Sequence, residues 1–245
     1  MTPRTLLIRG MLVGVAGAAL AFGFARLFGE PAINQAIAYE YAHTAPGAEG
    51  PELVSRAVQS TLGLGTAVLV YGTALGGIFA LAFAFIYGRL GSLGVRATSM
   101  VVAGVGFTAL YLVPLVKYPA NPPAIGNPDT IGRRTALYFL MLAIAVAATI
   151  GAAVLARSLA RRLGAWNAVL AGAGVFVVVV AVAMLLLPAV SEVPADFSAT
   201  VLWRFRLAAV GTQVVLWSTF GVLFGALTQR RARRDVSAVA PAAAG

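Results

Sequence analysis

Long uncharged stretches separated by short charged clusters dominate this sequence. Counted from one charged residue to the next, these stretches are 10–25, 57–88, 97–116, 135–156, 163–191 and 207–229. A helix that crosses the hydrocarbon core of a bilayer needs about 20 apolar residues, and five of the six stretches reach that length. The first stretch is shorter, but Arg9 and Arg26 can snorkel to opposite interfaces and lengthen its span.

The scarcity of charge excludes an ordinary soluble domain. Only 11% of the residues are charged and the mean hydropathy is +0.90, whereas soluble domains carry about 25% charged residues. The sequence therefore predicts an all-α, polytopic transmembrane helix bundle of about six spans near 7–27, 62–87, 97–116, 135–156, 166–187 and 207–228. The outer loops are then 28–58, 117–134 and 188–206. Residues 1–235 would form a single transmembrane domain, and the small, aperiodic residues 236–245 a disordered tail.

The first apolar stretch has a second interpretation. Arg4 and Arg9 could form the basic region of a secretory signal peptide, and Gly23, Phe24 and Ala25 resemble a small-residue cleavage site. The sequence leaves open whether this stretch is a span or a cleaved signal.

The basic residues predict the orientation, because Arg and Lys near span ends stay in the cytoplasm. With the N-terminus inside, the outer face holds seven basic and seven acidic residues, so the whole net charge of +10 lies on the cytoplasmic side. We therefore expect both termini in the cytoplasm and the protein in the cell inner or plasma membrane. The basic run 230–234 is expected to contact the head groups of the lipid bilayer rather than nucleic acid.

Several function classes lack the residues they need. The chain has no Cys, which excludes thiolate chemistry, and no ionisable residue lies deep in a predicted span. Nucleotide-binding, zinc-protease and serine-hydrolase motifs are also missing. We therefore expect no enzyme activity and no cofactor.

The first outer loop carries the strongest candidate for metal binding. Pro31 and the helical spacing of the apolar residues after it predict a short interfacial helix. On such a helix Glu40 and His43 share one face and could present a carboxylate and an imidazole to one metal ion. Glu49 and Glu52 could add oxygens. The alternative is a solvated loop that happens to contain the only His.

The other outer loops carry arginines, although basic residues are disfavoured on the outer side of the membrane. Four prolines between 119 and 128 predict a stiff connection, and it ends in Arg133 and Arg134. We expect structural ion pairs between docked outer loops, with a gate or an anion-attracting site as the alternative. The residues concerned are Asp129, Arg133, Arg134, Glu192, Asp196, Arg204 and Arg206.

Two further features lie within the spans. Gln213 is the most polar residue of a span interior apart from hydroxyls, and we expect it to hydrogen-bond a neighbouring helix. Glycine pairs four residues apart let helix backbones approach closely. They predict packing within this chain, with a partner-binding face as the alternative, and they occur at Gly10/Gly14, Gly72/Gly76 and Gly221/Gly225.

Several segments together resemble the CbtA family of proposed cobalt transporter subunits. The most specific is 119–135, which ends in Thr-Ile-Gly-Arg-Arg-Thr; the others are 29–31, 59–63, 187–188, 192–197, 203–206 and 211–213. The resemblance implies cobalt uptake linked to cobalamin synthesis, beside a small single-span, histidine-bearing partner, CbtB. The family is usually described with five spans and more histidines in the first outer loop, whereas this chain has six predicted spans and only His43.

Cobalt(II), as the substrate, prefers imidazole and carboxylate ligands. If the family role holds, Glu30, Glu40 and His43 are the residues expected to capture it, helped by the partner. The competing hypotheses are a non-transporting scaffold or accessory subunit, and a transporter of another small solute.

Overall fold

A computed structural model describes residues 2–44, 54–123 and 125–231, and this part of the chain is helical and contains no strand. Five helices are long and apolar enough to cross a membrane. In chain order they are α1 (Pro3–His43), α2 (Arg56–Ile86), α3 (Val95–Lys117), α4 (Ile131–Leu186, preceded by a 3-10 turn at Pro128–Thr130) and α5 (Ala199–Arg231). The predicted all-helical membrane protein is confirmed at this level.

The helices extend beyond the predicted spans. The predicted loop 28–58 contains the last part of α1, Glu30–His43, and the start of α2 at Arg56. The predicted loop 188–206 contains the start of α5 at Ala199. Hydropathy reports the part of a helix that suits lipid, whereas charged residues such as Arg and Glu are good helix formers beyond it. Glu49, Glu52 and the predicted tail 236–245 lie outside the described residues.

α4 is two helical arms joined at a bend. Gly164 has φ +76° and ψ 160°, a backbone conformation that residues with a Cβ atom rarely adopt. The arms 131–163 and 165–186 run back along each other: a Cβ on Gly172 would lie 2.7 Å from the carbonyl oxygen of Ala152. Met141 and Val180 share one buried cluster with the same antiparallel register.

The chain forms two compact units. The first comprises residues 1–104 with 203–245, and the second comprises 105–202. In the first unit α5 runs antiparallel to α1, since Arg9 donates to Thr228 Oγ1 at 3.1 Å while a Cβ on Gly29 would lie 3.8 Å from Ala208 Cβ. In the second unit, the end of α3 packs on both arms of α4 through Val113, Met141, Ala145 and Val180.

Glycines hold α1 directly against α2. We call Gly10, Gly14, Gly72 and Gly76 the glycine seam. A Cβ on Gly76 would lie 2.8 Å from Gly14 Cα, closer than real Cβ contacts come, so the two backbones touch. The third glycine pair packs on α3: a Cβ on Gly221 would lie 2.8 Å from Met100 Sδ, and one on Gly225 would lie 3.0 Å from Ser99 Cβ. The prediction of packing within the chain is confirmed.

An aromatic cluster joins α2 to α5 in the same unit. The rings of Phe79 and Phe220 stack at 5.4 Å, and Phe224 meets Phe79 and Phe83 edge-on at 5.3 and 5.1 Å. All four side chains are buried. Elsewhere, large apolar side chains remain exposed on every helix, and in a bilayer this surface contacts lipid tails. Examples are Leu12, Leu62, Phe85, Met100, Phe139, Val154, Leu185 and Val222.

The two ends of the first unit differ in charge. At one end α1 begins, α3 begins and α5 finishes; we call this the basic end, and it carries Arg4, Arg9, Arg96, Arg230 and Arg231. At the opposite end lie the two described carboxylates of this unit, Glu30 and Glu40. Basic residues lie toward that end as well, so only the described acidic residues of this unit are confined to one end; these basic residues are Arg26, Arg56, Arg204 and Arg206.

Candidate functional site

Glu30 lies between two guanidinium groups. Its Oε1 accepts a hydrogen bond from Arg56 Nη2 and lies 3.6 Å from Arg26 Nη1. Asn34 Oδ1 accepts from the same Arg56 nitrogen at 3.5 Å. Glu30 is buried, with 8% of its surface exposed, so these contacts decide its chemistry. The carboxylate ties α1 to α2, and the two positive charges beside it oppose the approach of a metal cation.

Glu40 and His43 lie farther along α1, exposed near its end. Glu40 lies ten positions after Glu30 on the same helix, which is about 15 Å at 1.5 Å per residue. The three predicted metal ligands therefore do not converge on one point. Glu40 and His43 do share a helical face. Among the residues that the structure describes, no group of three or more His, Asp or Glu could hold a metal ion.

The imidazole of His43 is oriented by its own helix. Its Nδ1 lies 2.8 Å from the carbonyl oxygen of Tyr39, and its ring stacks on the Tyr39 ring at 4.0 Å. A carbonyl oxygen only accepts hydrogen bonds, so Nδ1 carries the proton and, in the neutral ring, Nε2 carries the lone pair. A backbone hydrogen bond of this kind is the usual support of a histidine that binds metal through Nε2.

In the second unit, Glu192 joins two loops. Its Oε2 lies 3.2 Å from Arg134 Nε and accepts from the backbone N–H of Asn127 at 3.1 Å. A hydrogen bond from Thr130 lowers the pKa of the Glu192 carboxyl below its ordinary value. The hydrogen bond from the Asn127 N–H and the charges of Arg134 and Arg133 also lower this pKa, whereas burial raises it. Glu192 is therefore ionised at neutral pH and fixes the Pro-rich loop to the loop before α5.

The end of α3 is fastened to the second arm of α4. Lys117 Nζ donates to the carbonyl oxygen of Met184 at 2.7 Å, and the hydroxyl of Tyr118 donates to that of Pro188 at 3.1 Å. Burial raises the pKa of Tyr118, against the charge of Arg133, so the phenol keeps its donor proton. Beside these contacts lies a cavity of about 480 Å³, whose polar lining comprises Tyr111, Tyr118, Asn121, Arg134, Thr135 and Tyr138.

A comparison with known protein families bears on the functions left open by this geometry. The family model of CbtA, described as a probable cobalt transporter subunit, matches residues 3–229. The chain belongs to the CbtA family. No curated protein and no solved structure matches it. The match covers nearly the whole of the five described helices, and it confirms the family predicted from the loop segments. The role described for this family is that of a probable cobalt transporter subunit.

The remaining predicted residues of this CbtA chain belong to other structural elements than Glu40 and His43. Asp129 lies in the 3-10 turn that Asn127 caps, where its N–H donates to Asn127 Oδ1 at 2.9 Å. Arg133 acts on Tyr118 and Glu192 through its charge. Asp196 lies in the loop before α5, whereas Arg204 and Arg206 lie in its first turns and belong to the first unit.

The side chain of Gln213 lies close to the Tyr71 hydroxyl, between α5 and α2. Its Oε1 has no protein partner among the described residues. This interhelical contact is of the kind expected for a polar side chain in lipid.

Sequence reasoning missed the partners of Glu30 and the tyrosines of the cavity. Arg26 stands four residues before Glu30, which on a helix places opposite charges side by side and could have been noticed. Arg56 could not, because its contact with Glu30 depends on the register between α1 and α2. Tyr111 and Tyr138 carry no motif that distinguishes them from other aromatic residues in apolar helices.

Proposed function

We propose that this CbtA chain is the membrane subunit of a cobalt(II) uptake system, in the cell inner or plasma membrane and linked to cobalamin synthesis. The observation that carries the proposal is the family match over residues 3–229, which takes in almost all of the helical bundle rather than a single motif. Packed apolar helices with exposed lipid-facing side chains are the architecture that such a subunit needs.

We infer six crossings with both termini in the cytoplasm. The shorter arm of α4, 165–186, has 22 residues and is about 33 Å long, enough for a hydrocarbon core of about 30 Å. Two arms that run back along each other from Gly164 return the chain to the same face, so α4 accounts for two crossings. The basic end of the first unit then faces the cytoplasm. The glycine seam favours α1 as a retained span rather than a cleaved signal, because α2 packs directly on its backbone.

Single-cysteine labelling tests this topology, and the native chain has no Cys to remove. A membrane-impermeant maleimide should label Ser191→Cys in intact cells. It should label Ser92→Cys, between α2 and α3, and Ser158→Cys, near the bend of α4, only after permeabilisation. External labelling of Ser158→Cys would show that α4 does not return the chain as inferred.

For capture of the metal we propose Glu40 and His43. Carboxylate oxygen and imidazole nitrogen both suit cobalt(II), and the backbone bond at Nδ1 fixes the tautomer in which Nε2 is the metal-binding nitrogen. Two protein ligands leave a cobalt ion incompletely coordinated, so a single-span, histidine-bearing subunit of the CbtB kind would supply the rest. The prediction that Glu30 also binds the metal receives no support from its contacts, and we assign it to holding α1 and α2 together.

The proposal can be tested by measuring the accumulation of labelled cobalt. The cells lack their own cobalt importers and express this chain with or without the single-span partner. Accumulation should require this chain and should be reduced by competing nickel. Glu40→Ala and His43→Ala should lower it, whereas Gln35→Ala, an exposed polar change on the same helix, should not. Uptake that survives both ligand substitutions would remove capture by Glu40 and His43.

No cobalt accumulation, with both proteins inserted in the membrane, would instead favour an accessory subunit. A scaffold that docks through its Gly-x-x-x-Gly faces is disfavoured by the contacts those glycines already make within the chain. An anion-attracting mouth is disfavoured at Arg134, whose charge is balanced by Glu192.

A further inference from the structure

A groove of about 600 Å³ runs between α1 and α5 at the basic end. Its size lies within the range of ligand sites in proteins, about 300–1,000 Å³. One wall is a stripe of α1 residues at helical spacing, and the other is the last turns of α5. The lining residues are Thr5, Ile8, Arg9, Leu12, Val13, Ala16, Leu223, Leu227, Arg230 and Arg231.

Three arginines share this groove. None of the described residues that line it is acidic. Arg230 and Arg231 alone would be ordinary, because cations are favoured in the last turn of a helix. Arg9 is different, since it lies near the start of α1, where the helix dipole does not favour a cation. Three like charges around one groove favour an anionic occupant.

The rest of the groove is apolar. From Thr5 to Ala16 the α1 wall extends about 16 Å along the helix axis, at 1.5 Å per residue. Leu12 is 66% exposed, and it shares this wall with the buried Val13. An inorganic anion would leave this apolar length unused. A molecule with a phosphate at one end and a hydrocarbon chain at the other matches both parts.

We propose that this groove binds one anionic phospholipid. Its phosphate lies among Arg9, Arg230 and Arg231, and one acyl chain lies along Leu12 and Leu227. The hydrogen bond from Arg9 to Thr228 Oγ1, 3.1 Å long, holds the Arg9 guanidinium against α5 at the head of the groove. Basic pockets between helices on the cytoplasmic side bind lipid head groups in this way. The lipid would bridge the first helix and the last.

The test is native mass spectrometry of the full chain with phosphatidylglycerol or phosphatidylcholine in matched amounts. Phosphatidylglycerol should be retained preferentially. Each arginine near a lipid surface contributes about 1 kcal/mol, so Arg230→Gln and Arg231→Gln should each weaken binding about fivefold, and the triple variant with Arg9→Gln roughly a hundredfold. Arg89→Gln removes a charge outside the groove and should leave the preference intact.

A second variant tests the acyl chain without touching the charges. Leu12→Trp replaces an exposed side chain with a larger one, so it should block the groove while the helix packing persists. It should lower phosphatidylglycerol binding, and free inorganic phosphate should compete weakly. Equal retention of the two lipids would overturn the proposal. So would displacement by inorganic phosphate together with unchanged binding to Leu12→Trp, since that result indicates a simple anion site.

Discussion

The glycine seam makes a quantitative prediction about Gly14. A methyl group there would overlap the carbonyl oxygen of Gly72 and lie 3.0 Å from both Gly72 C and Thr73 Cα, where ordinary contacts are 3.4–4 Å. Both neighbours are backbone atoms, so the helices must separate rather than a side chain rotate. Overpacking of this kind costs about 1–3 kcal/mol. The better helix propensity of Ala returns up to about 1 kcal/mol.

Gly23 supplies the matched control. It lies on the same helix, and a Cβ there would meet nothing within 4 Å. Gly23→Ala should therefore show only the helix-propensity gain, and the difference between the two variants isolates the steric cost, about 1–3 kcal/mol. The measurement is equilibrium unfolding in mixed micelles, followed by circular dichroism. Equal unfolding free energies for Gly14→Ala and Gly23→Ala would refute direct backbone contact between α1 and α2.

Three further predictions follow from contacts within a single unit. Removing either charge of the Glu30–Arg56 pair should destabilise the chain by about 1–3 kcal/mol, because the other partner loses a charged hydrogen bond. In a double-mutant cycle with Glu30→Gln and Arg56→Gln, the loss in the double variant should be smaller than the sum of the two single losses. Gly164→Ala should cost about 1–3 kcal/mol by forcing a side chain into a positive-φ conformation, whereas Gly174→Ala, with nothing within 4 Å, should not. Because the folded-state pKa of Glu192 is lowered from 4.5, its contribution to loop docking is present above that value and lost as pH falls through the folded pKa. Hydrogen exchange of residues 125–130, corrected for intrinsic rates, should accelerate only in that acid range, and Glu192→Gln should abolish the step; an unchanged acid step in Glu192→Gln would assign it to another group.

Hydropathy was sufficient to place the helices. The predicted spans 97–116, 135–156 and 207–228 fall inside α3, the first arm of α4 and α5. The bend at Gly164 follows the basic cluster Arg157 to Arg162, which separates two apolar stretches. Such features are local in sequence, so one sequence suffices to find them. The ends of α1 and α2 were not predicted, since helical residues beyond the hydrocarbon need not be apolar.

The contacts of the candidate site residues depend more on the fold, and Glu30 shows why. A carboxylate on the outer side qualifies as a cobalt ligand by its chemistry alone. Its role depends on Arg56, 26 residues away, and that contact is set by the register of two packed helices. His43 is the opposite case, since its oriented nitrogen results from a bond to Tyr39 within its own helix. Local chemistry could therefore be predicted at His43, whereas the charge balance at Glu30 required the fold.

The π-helical turns of α1 and α2 have a mechanical consequence. They lie at Ala25–Gly29 and Gln59–Gly63, and the contact between Phe22 and Gly65 places them side by side. On one side of them the glycine seam locks the helices backbone to backbone, and on the other the Glu30–Arg56 pair joins them again. A π turn interrupts the regular helical ladder, so bending is least costly there. These turns are therefore the place in α1 and α2 where a change in the direction of the segment that carries Glu40 and His43 would cost least.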